Sequence, residues 1–442
     1  MAILEINLNQ LNGSNGFTLN GINEADLSGT SVSLTGDINN DGFADLIIGA
    51  SDANTTAGET YVVFGGNSFT ANLNLETLSG NSGFRFSGIG PENFAGTSVS
   101  GAGDIDNDGF FDLVIGAPFT DIGSAASAGQ SYLVFGASNF PANLTLASLN
   151  GNNGFTLNGL VAGDFSGVDV SPAGDINGDG FDDFAVSSPF ANPPNALNPN
   201  ATSSNAGQTH LIFGSPSPFS PQFALNSLNG NNGFAINGAS NDDLSGSSIS
   251  PAGDFNNDGF DDFLVGAPNA VLPDNQTPVP VNGRAYVIYG GNTFSGSLNV
   301  FNLDGSNGFA IDGLALGDLA GISVSNAGDF NGDGFDDILV GASGVGNNVG
   351  QVYVIFGTSS NLGARFSPAT LNGSNGFVIN GILANDLAGF SLSSAGDFNA
   401  DGFDDILIGA PGLPTGATIP GEAYVIFGRN TGIPASLNFV QP

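Results

Sequence analysis

Short apolar runs recur along the chain, each bounded by Gly, Asn, Asp or Ser. One class is seen in Leu46-Ile47-Ile48-Gly49-Ala50 and again in Ile406-Leu407-Ile408-Gly409-Ala410. A second begins at Tyr61-Val62-Val63-Phe64-Gly65 and returns at Tyr132, His210, Tyr286, Tyr353 and Tyr424. A Ser-rich alternating class (Ser31-Val32-Ser33-Leu34, Ser98-Val99-Ser100) precedes the first. A Gly-Phe class (Gly16-Phe17-Thr18-Leu19-Asn20-Gly21, Gly376-Phe377-Val378-Ile379-Asn380-Gly381) follows the second. Alternation, β-branched residues and turn-forming boundaries predict four short strands per unit. No segment sustains a helical period; the connector Leu73 to Leu78 is predicted to hold a helical turn.

The four classes form one repeat. Its most constant landmark is an Asp at 37, 104, 175, 254, 329 and 397, spaced 67 to 79 residues apart. We call the Ser-rich segment strand 1, the run after the Asp loop strand 2, the Tyr-Val-x-Phe-Gly run strand 3 and the Gly-Phe run strand 4. Four antiparallel strands repeated six times predict an all-β, six-bladed β-propeller in one domain over residues 1–442. The chain opens on a lone strand 4 (Phe17 to Ile22) and ends after a strand 3 (Tyr424 to Gly428). The N-terminal strand is therefore expected to complete the last blade. No sequence is left for a seventh.

Composition narrows the function. The chain has 442 residues, with 41 acidic residues against four arginines (Arg85, Arg284, Arg365, Arg429), no lysine and a formal net charge of -37. No basic patch can be assembled to hold a phosphate backbone or an anionic membrane, so nucleic-acid binding is excluded. Periodic Phe, Ile, Leu and Val runs separate it from acidic disordered chains. No stretch approaches 18 apolar residues, so no membrane insertion is expected. Without cysteine there is no disulfide, thiol nucleophile or thiolate metal site. Met1 to Gln10 lacks the charged and apolar regions of a signal peptide.

The acidity is concentrated: 23 carboxylates lie within the six nine-residue loops Asp-x-Asn/Asp-x-Asp-Gly-x-x-Asp. Side-chain oxygens at positions 1, 3, 5 and 9 come from Asp37, Asn39, Asp41 and Asp45; Asp104, Asp106, Asp108 and Asp112; and Asp175, Asn177, Asp179 and Asp183. The later loops supply Asp254, Asn256, Asp258 and Asp262; Asp329, Asn331, Asp333 and Asp337; and Asp397, Asn399, Asp401 and Asp405. Gly at position 6 (Gly42, Gly109, Gly180, Gly259, Gly334, Gly402) permits a sharp turn. The carbonyl at position 7 (Phe43, Phe110, Phe181, Phe260, Phe335, Phe403) can add an oxygen, and its ring is expected to turn inward as a core plug. Oxygen-only donors on flexible carboxylates favour Ca²⁺ over Mg²⁺ or Zn²⁺, up to six ions, one per blade. An ordinary hairpin turn does not require the same five positions six times over.

These residues resemble the FG-GAP repeat of the integrin α-subunit propeller over essentially the whole chain. Further landmarks of the resemblance are Phe94-Ala95-Gly96, Gly116-Ala117-Pro118 and Gly409-Ala410-Pro411. It implies calcium bound in the loop between strands 1 and 2. Integrin propellers have seven blades and calcium in only some; here there are six repeats and six intact loops. The chain is also similar to bacterial, particularly cyanobacterial, FG-GAP proteins, and a fungal lectin shares the fold.

Alternating strand direction places the 1–2 loops opposite the 2–3 and 4–1 loops. The 2–3 loops vary most, and those at Pro189–Thr209 and Pro268–Ala285 are expected to face a partner, protein or glycan. His210 takes the place of the strand 3 tyrosine, which predicts a structural role. With one histidine and its paired acids committed to the loops, the chain is not expected to be an enzyme. The resulting expectation is an extracellular or cell-surface adhesion or interaction module, with a carbohydrate-binding lectin or a subunit of a surface layer or filament as alternatives. Absence of tryptophan removes the commonest sugar-stacking platform.

Overall fold

The computed structural model describes residues 10–195, 198–216, 218–270, 283–412 and 421–438. It is an all-β, six-blade β-propeller arrangement of small, mainly antiparallel sheets. The chain separates into two compact units, Met1–Val170 with Pro216–Ala224, and Ser171–Ser215 with Leu225–Pro442.

In the first unit, blade 1 comprises Ser28–Gly36, Asp45–Ala50, Glu59–Val63 and Gly83–Ser87. Register follows the apolar pattern: Ile47 lies opposite Val62, and Val62 opposite Phe84. Blade 2 repeats this with Val99–Gly103, Asp112–Ala117, Gln130–Val134 and Gly154–Asn158. Blades 3, 4 and 5, in the second unit, carry the same four strands. Blade 6 is a three-stranded sheet of Ser391–Gly396, Asp405–Ala410 and Glu422–Ile426. The N-terminal strand, Thr18–Asn20, pairs with Asn72–Asn74 in a separate two-stranded sheet. The strands assigned to the sixth blade from sequence thus occur as these two sheets.

One element escaped the sequence pattern. Each of blades 1 to 5 has a fifth strand, parallel to strand 4 and donated by a later repeat, such as Asn143–Thr145 beside Gly83–Ser87. It is two or three residues long and lacks β-branched residues before position 145, so propensity is silent. Recurrence of Asn-Leu-Asn or a near variant (Asn72–Asn74, Asn143–Thr145, Ser297–Asn299, Ser436–Asn438) was the available signal. The expected helical turn follows as a single 3-10 turn, Leu75–Thr77, with the Asn74 side chain accepting the Glu76 N–H at 2.9 Å.

Strand 2 is buried along its whole length in blades 2 to 5 because each of its faces meets apolar side chains. Ile47, Val62 and Phe84 of blade 1 pack with Leu113, Ile115 and Tyr132 of blade 2. Contact at this range demands glycine: a Cβ on Gly116 would come 2.1 Å from the Gly167 carbonyl oxygen, and one on Gly266 equally close to that of Gly321. Serine explains itself similarly in strand 1. Ser31 Oγ accepts the Val99 N–H, and Ser248 and Ser323 Oγ accept those of Val324 and Leu392, at 3.0–3.1 Å, each linking one strand 1 to the next.

His210 lies within strand 3 of blade 3, opposite Val186 and Ala235. It is buried, its Nδ1 has no protein partner, and burial lowers its pKa to about 4. The folded state therefore holds fewer protons than the unfolded chain between that value and the ordinary one near 6.5. The His210 contribution to stability is complete above about pH 6.5 and falls as pH drops toward 4. His210→Tyr, which restores the repeat's own residue, is expected to remove about 3 kcal/mol of this acid sensitivity. Urea denaturation at pH 7.5 and 4.5 measures it, and an unchanged difference between the two pH values contradicts it.

Candidate metal site

Each Asp loop is an arch tied by its own carboxylates. The first-position Asp accepts two backbone N–H groups, from position 5 through Oδ1 and position 6 through Oδ2. In loop 1 these are Asp41 and Gly42, at 2.9 and 2.7 Å from Asp37. The pair recurs from Asp104, Asp175, Asp254, Asp329 and Asp397 at 2.8–3.0 Å. Oδ1 of the fifth-position Asp accepts the N–H of the Phe at position 7 in all six loops. Glycine at position 6 has φ between 89° and 93° in every loop, as its place in the motif predicted. Position 4 is also left-handed throughout (Asn40, Asn107, Gly178, Asn257, Gly332, Ala400), a requirement hidden by its variable identity.

The ninth-position Asp is a buried staple. Asp112 is fully buried; its Oδ1 accepts the Gly136 N–H at the end of strand 3, and its Oδ2 that of Ile105 at position 2. Asp45, Asp183, Asp262, Asp337 and Asp405 likewise accept Gly65, Gly214, Gly290, Gly357 and Gly428 at 2.7–2.9 Å. One carboxylate thus joins the loop to two strands. Burial pushes its pKa up, to about 6 at Asp45, 8 at Asp112, Asp262 and Asp337, and 9 at Asp183, with neighbouring loop carboxylates adding to the rise.

The expected phenylalanine plug is a correction. Phe43 is 36 % exposed, and the other position 7 rings are only half-buried. Two of them lie across a neighbouring loop: a Cβ on Gly178 would sit 2.4 Å from the Phe260 ring, and one on Gly332 2.3 Å from Phe403. The plug is the residue at position 2: Ile38, Ile105, Ile176 and Phe255 are fully buried and Phe330 nearly so. Direction follows from the turn, since positions 1, 3 and 5 face the arch interior and position 2 faces the sheets. In blade 6 the corresponding Phe398 is 69 % exposed.

The donor set fits a hard cation. Carboxylate oxygens of Asp104, Asp106 and Asp108 all lie within 4.8 Å of one another. Asn256 Oδ1 is buried in its loop without a protein hydrogen-bond partner. Three of the four arginines are engaged elsewhere: Arg284 and Arg365 each reach Asp312 at 2.7 Å, and Arg85 approaches Glu59. Crowded carboxylates with so little positive charge nearby either take up protons or bind a cation.

Successive loops also touch, which the single-repeat reading missed. The position 2 carbonyl of one loop accepts an N–H from just beyond strand 3 of the following blade: Ile38 from Ala137, Ile176 from Gly291, Phe255 from Thr358 and Phe330 from Arg429, at 2.9–3.0 Å. Eighth-position carboxylates make a second link, at Asp261, Asp336 and Asp404.

The opposite ends of the strands are joined as well. In the first unit, the 2–3 loop accepts the N–H of the following 4–1 segment, as with Phe94 to Thr56 and Phe165 to Ser127. The second unit repeats it with Leu244 to Asn205 and Leu387 to Asn348. Of the loops expected to face a partner, residues 196–197 of Pro189–Thr209 and 271–282 of Pro268–Ala285 lie outside the described residues. Within the former, Pro194–Asn195 and Asn198–Thr202 form a small hairpin.

The FG-GAP repeat family model matches residues 28–63, 95–134, 166–212, 245–288, 320–355 and 388–426. Among curated proteins, the chain is 31% identical over 203 residues to phosphatidylinositol-glycan-specific phospholipase D of Dictyostelium discoideum, covering 42% of this chain and 20% of that protein. It is 32% identical over 161 residues to integrin alpha-4 of Xenopus laevis (36% and 14%), and 29% identical over 218 residues to integrin alpha-2 of Bos taurus (48% and 17%). The matched region is thus at most a fifth of each of these three relatives. Among the described residues, no helix is long and apolar enough to cross a membrane.

Two substitutions in loop 2 separate plug from rim. Ile105→Ala is expected to lose about 2–4 kcal/mol and Phe110→Ala about 1 kcal/mol or less. Asp112→Ala, which strands two backbone N–H groups, is expected to lose about 2–4 kcal/mol even in excess chelator. Urea denaturation in EGTA measures all three. Equal losses for Ile105 and Phe110 would contradict the assignment of the plug.

Proposed function

This chain belongs to the FG-GAP repeat family, and on that premise we propose that it is a calcium-stabilised adhesion or interaction module of the cell surface or extracellular space. The observation carrying the calcium part is the convergence of Asp104, Asp106 and Asp108 in a loop pattern repeated six times, with three of the four arginines paired elsewhere. In each loop, the side chains at positions 1, 3, 5 and 9 would hold the ion, the position 7 carbonyl completing an all-oxygen set. Bound calcium supplies the positive charge that these carboxylates otherwise lack. The staple Asp then carries that neutralisation to strands 2 and 3. The role is architectural rather than catalytic.

Exposed apolar side chains support recognition at the 2–3 and 4–1 loops. In the first unit Ile89, Phe119, Leu160 and Val161 are exposed there, and in the second Phe190, Leu314, Leu316 and Leu383. Phe119 sits between Phe94 and Phe165, with ring centroids 5.1 and 5.2 Å away. A pocket of about 370 Å³ opens beside it, edged by Thr56, Glu92, Asn93 and Asp121. Aromatic and aliphatic groups held on a rigid sheet scaffold suit a protein partner.

Calcium removal tests the first part. EGTA is expected to lower the melting temperature by several degrees, with calcium restoring it better than equimolar magnesium, because ligand binding to the folded state adds about 2.7 kcal/mol per site at a hundredfold excess over Kd. An unchanged melting temperature contradicts it. For the second part, Phe119→Ser with Val161→Glu is expected to reduce adhesion of the labelled chain to cells of its source organism about tenfold at unchanged melting temperature. Undiminished adhesion would move the partner surface elsewhere.

A further inference from the structure

Loops 3 to 6, all within the second unit, are joined by a contact that the junction between loops 1 and 2 lacks. Asp261, at position 8 of loop 4, accepts the backbone N–H of Asp175, the first residue of loop 3, through Oδ2 at 2.8 Å. Asp336 of loop 5 does the same for Asp254 of loop 4 at 2.9 Å, and Asp404 of loop 6 for Asp329 of loop 5 at 3.0 Å. The return bond, from the later Asp N–H to the earlier Asp carbonyl, is 3.4 Å at both Asp261–Asp175 and Asp404–Asp329. The carboxylate comes so near that a Cβ on the preceding Gly174, Gly253 or Gly328 would lie 2.1–2.2 Å from Oδ2. Three junctions built alike, each with a glycine making room, indicate a shaped contact rather than a chance surface hydrogen bond.

Between loops 1 and 2, position 8 is Phe111. Its N–H still reaches the Asp37 carbonyl at 3.3 Å, but its ring lies where the carboxylate would be, 2.5 Å from a Cβ on Gly36. The return bond is kept and the carboxylate bond is lost.

We propose that Asp261, Asp336 and Asp404 are positioning residues that couple calcium binding in neighbouring loops, so that loops 3 to 6 load cooperatively. The proposal rests on the calcium reading above. Each of these residues is the chain neighbour of a ninth-position ligand: Asp262, Asp337 or Asp405. A loop that closes around its ion fixes that ligand and with it the adjacent carboxylate. The carboxylate then holds the backbone of the preceding loop at its first ligand, in the orientation that aims Asp175, Asp254 or Asp329 into the arch. The common tie works in the same direction. Asp262 Oδ1 holds the Gly290 N–H, and Gly291 donates to the Ile176 carbonyl of the earlier loop. Linkage makes the effect mutual, so filling the earlier loop favours the later one equally. Between loops 1 and 2, where Phe111 stands, the common tie and the return bond remain without the carboxylate bond.

The full chain, stripped of metal with EGTA, is titrated with Ca²⁺ by isothermal calorimetry. Wild type is expected to bind with a Hill coefficient above one. Asp336→Ala is expected to bring the coefficient toward one and to weaken the affected sites roughly tenfold, as loss of a ligand-orienting partner does. Asp336→Asn loses the charge but keeps an acceptor for the Asp254 N–H, and is expected to retain cooperativity. Phe111→Asp supplies the missing carboxylate between loops 1 and 2 and is expected to raise the coefficient; it decides the matter if Asp336→Ala misfolds. A wild-type chain that binds no calcium overturns the calcium reading itself. Calcium binding whose Hill coefficient is untouched by Asp336→Ala or by Phe111→Asp overturns the coupling alone, as does an equal loss in Asp336→Ala and Asp336→Asn, which would trace the effect to charge.

Discussion

Negative charge gathers where each strand 1 turns into strand 2, and the chain has four arginines in all to set against it. The loop architecture accommodates that imbalance. The arch uses backbone N–H groups to orient its carboxylates, which satisfies some of their lone pairs and aligns the rest. Such hydrogen bonds position charge without neutralising it. A divalent cation would neutralise it, and the arch lies beside a buried Asp that binds the ends of two strands. On the proposed calcium reading, scaffold and ion site are one structure, not a scaffold with a site attached.

That arrangement divides labour between the two ends of the strands. At the loop end, close approach of glycine, staple Asp and position 2 plug leaves little room for variation, which is why the motif is nearly invariant over six copies. At the other end, paired 2–3 and 4–1 loops need only keep their backbone hydrogen bonds, and their side chains differ freely. Exposed Phe119, Val161, Leu316 and Leu383 occur at this freer end. Side chains can change there without disturbing the Asp loops.

Much of this was legible in the residues. Alternation in Ser31 to Leu34, the continuous apolar run Leu46 to Ala50 and the Asp spacing sufficed for six blades, because strand period and turn chemistry are local properties. Features that failed to show depend on contacts between repeats. Phe43 reads as a core residue by hydrophobicity alone, yet the turn directs Ile38 inward and leaves Phe43 at the rim. The fifth strand, two or three residues such as Asn143–Thr145, depends on a partner some 58 residues away in sequence rather than on propensity. Asp261 looks like one more acid of its own loop until the structure shows that it serves Asp175. The four-strand blade expected at the end of the chain is found as a three-stranded sheet and a separate N-terminal pair. Strand pairing over the full length of the chain is the least local property of the fold.

Counting the ions tests the central claim most directly. Equilibrium dialysis of the metal-free chain against ⁴⁵Ca²⁺ is predicted to saturate at six ions per chain, and at five when Asp104→Ala removes the first ligand of a single loop. Absence of saturable binding, or a count that does not change with that substitution, would contradict the account.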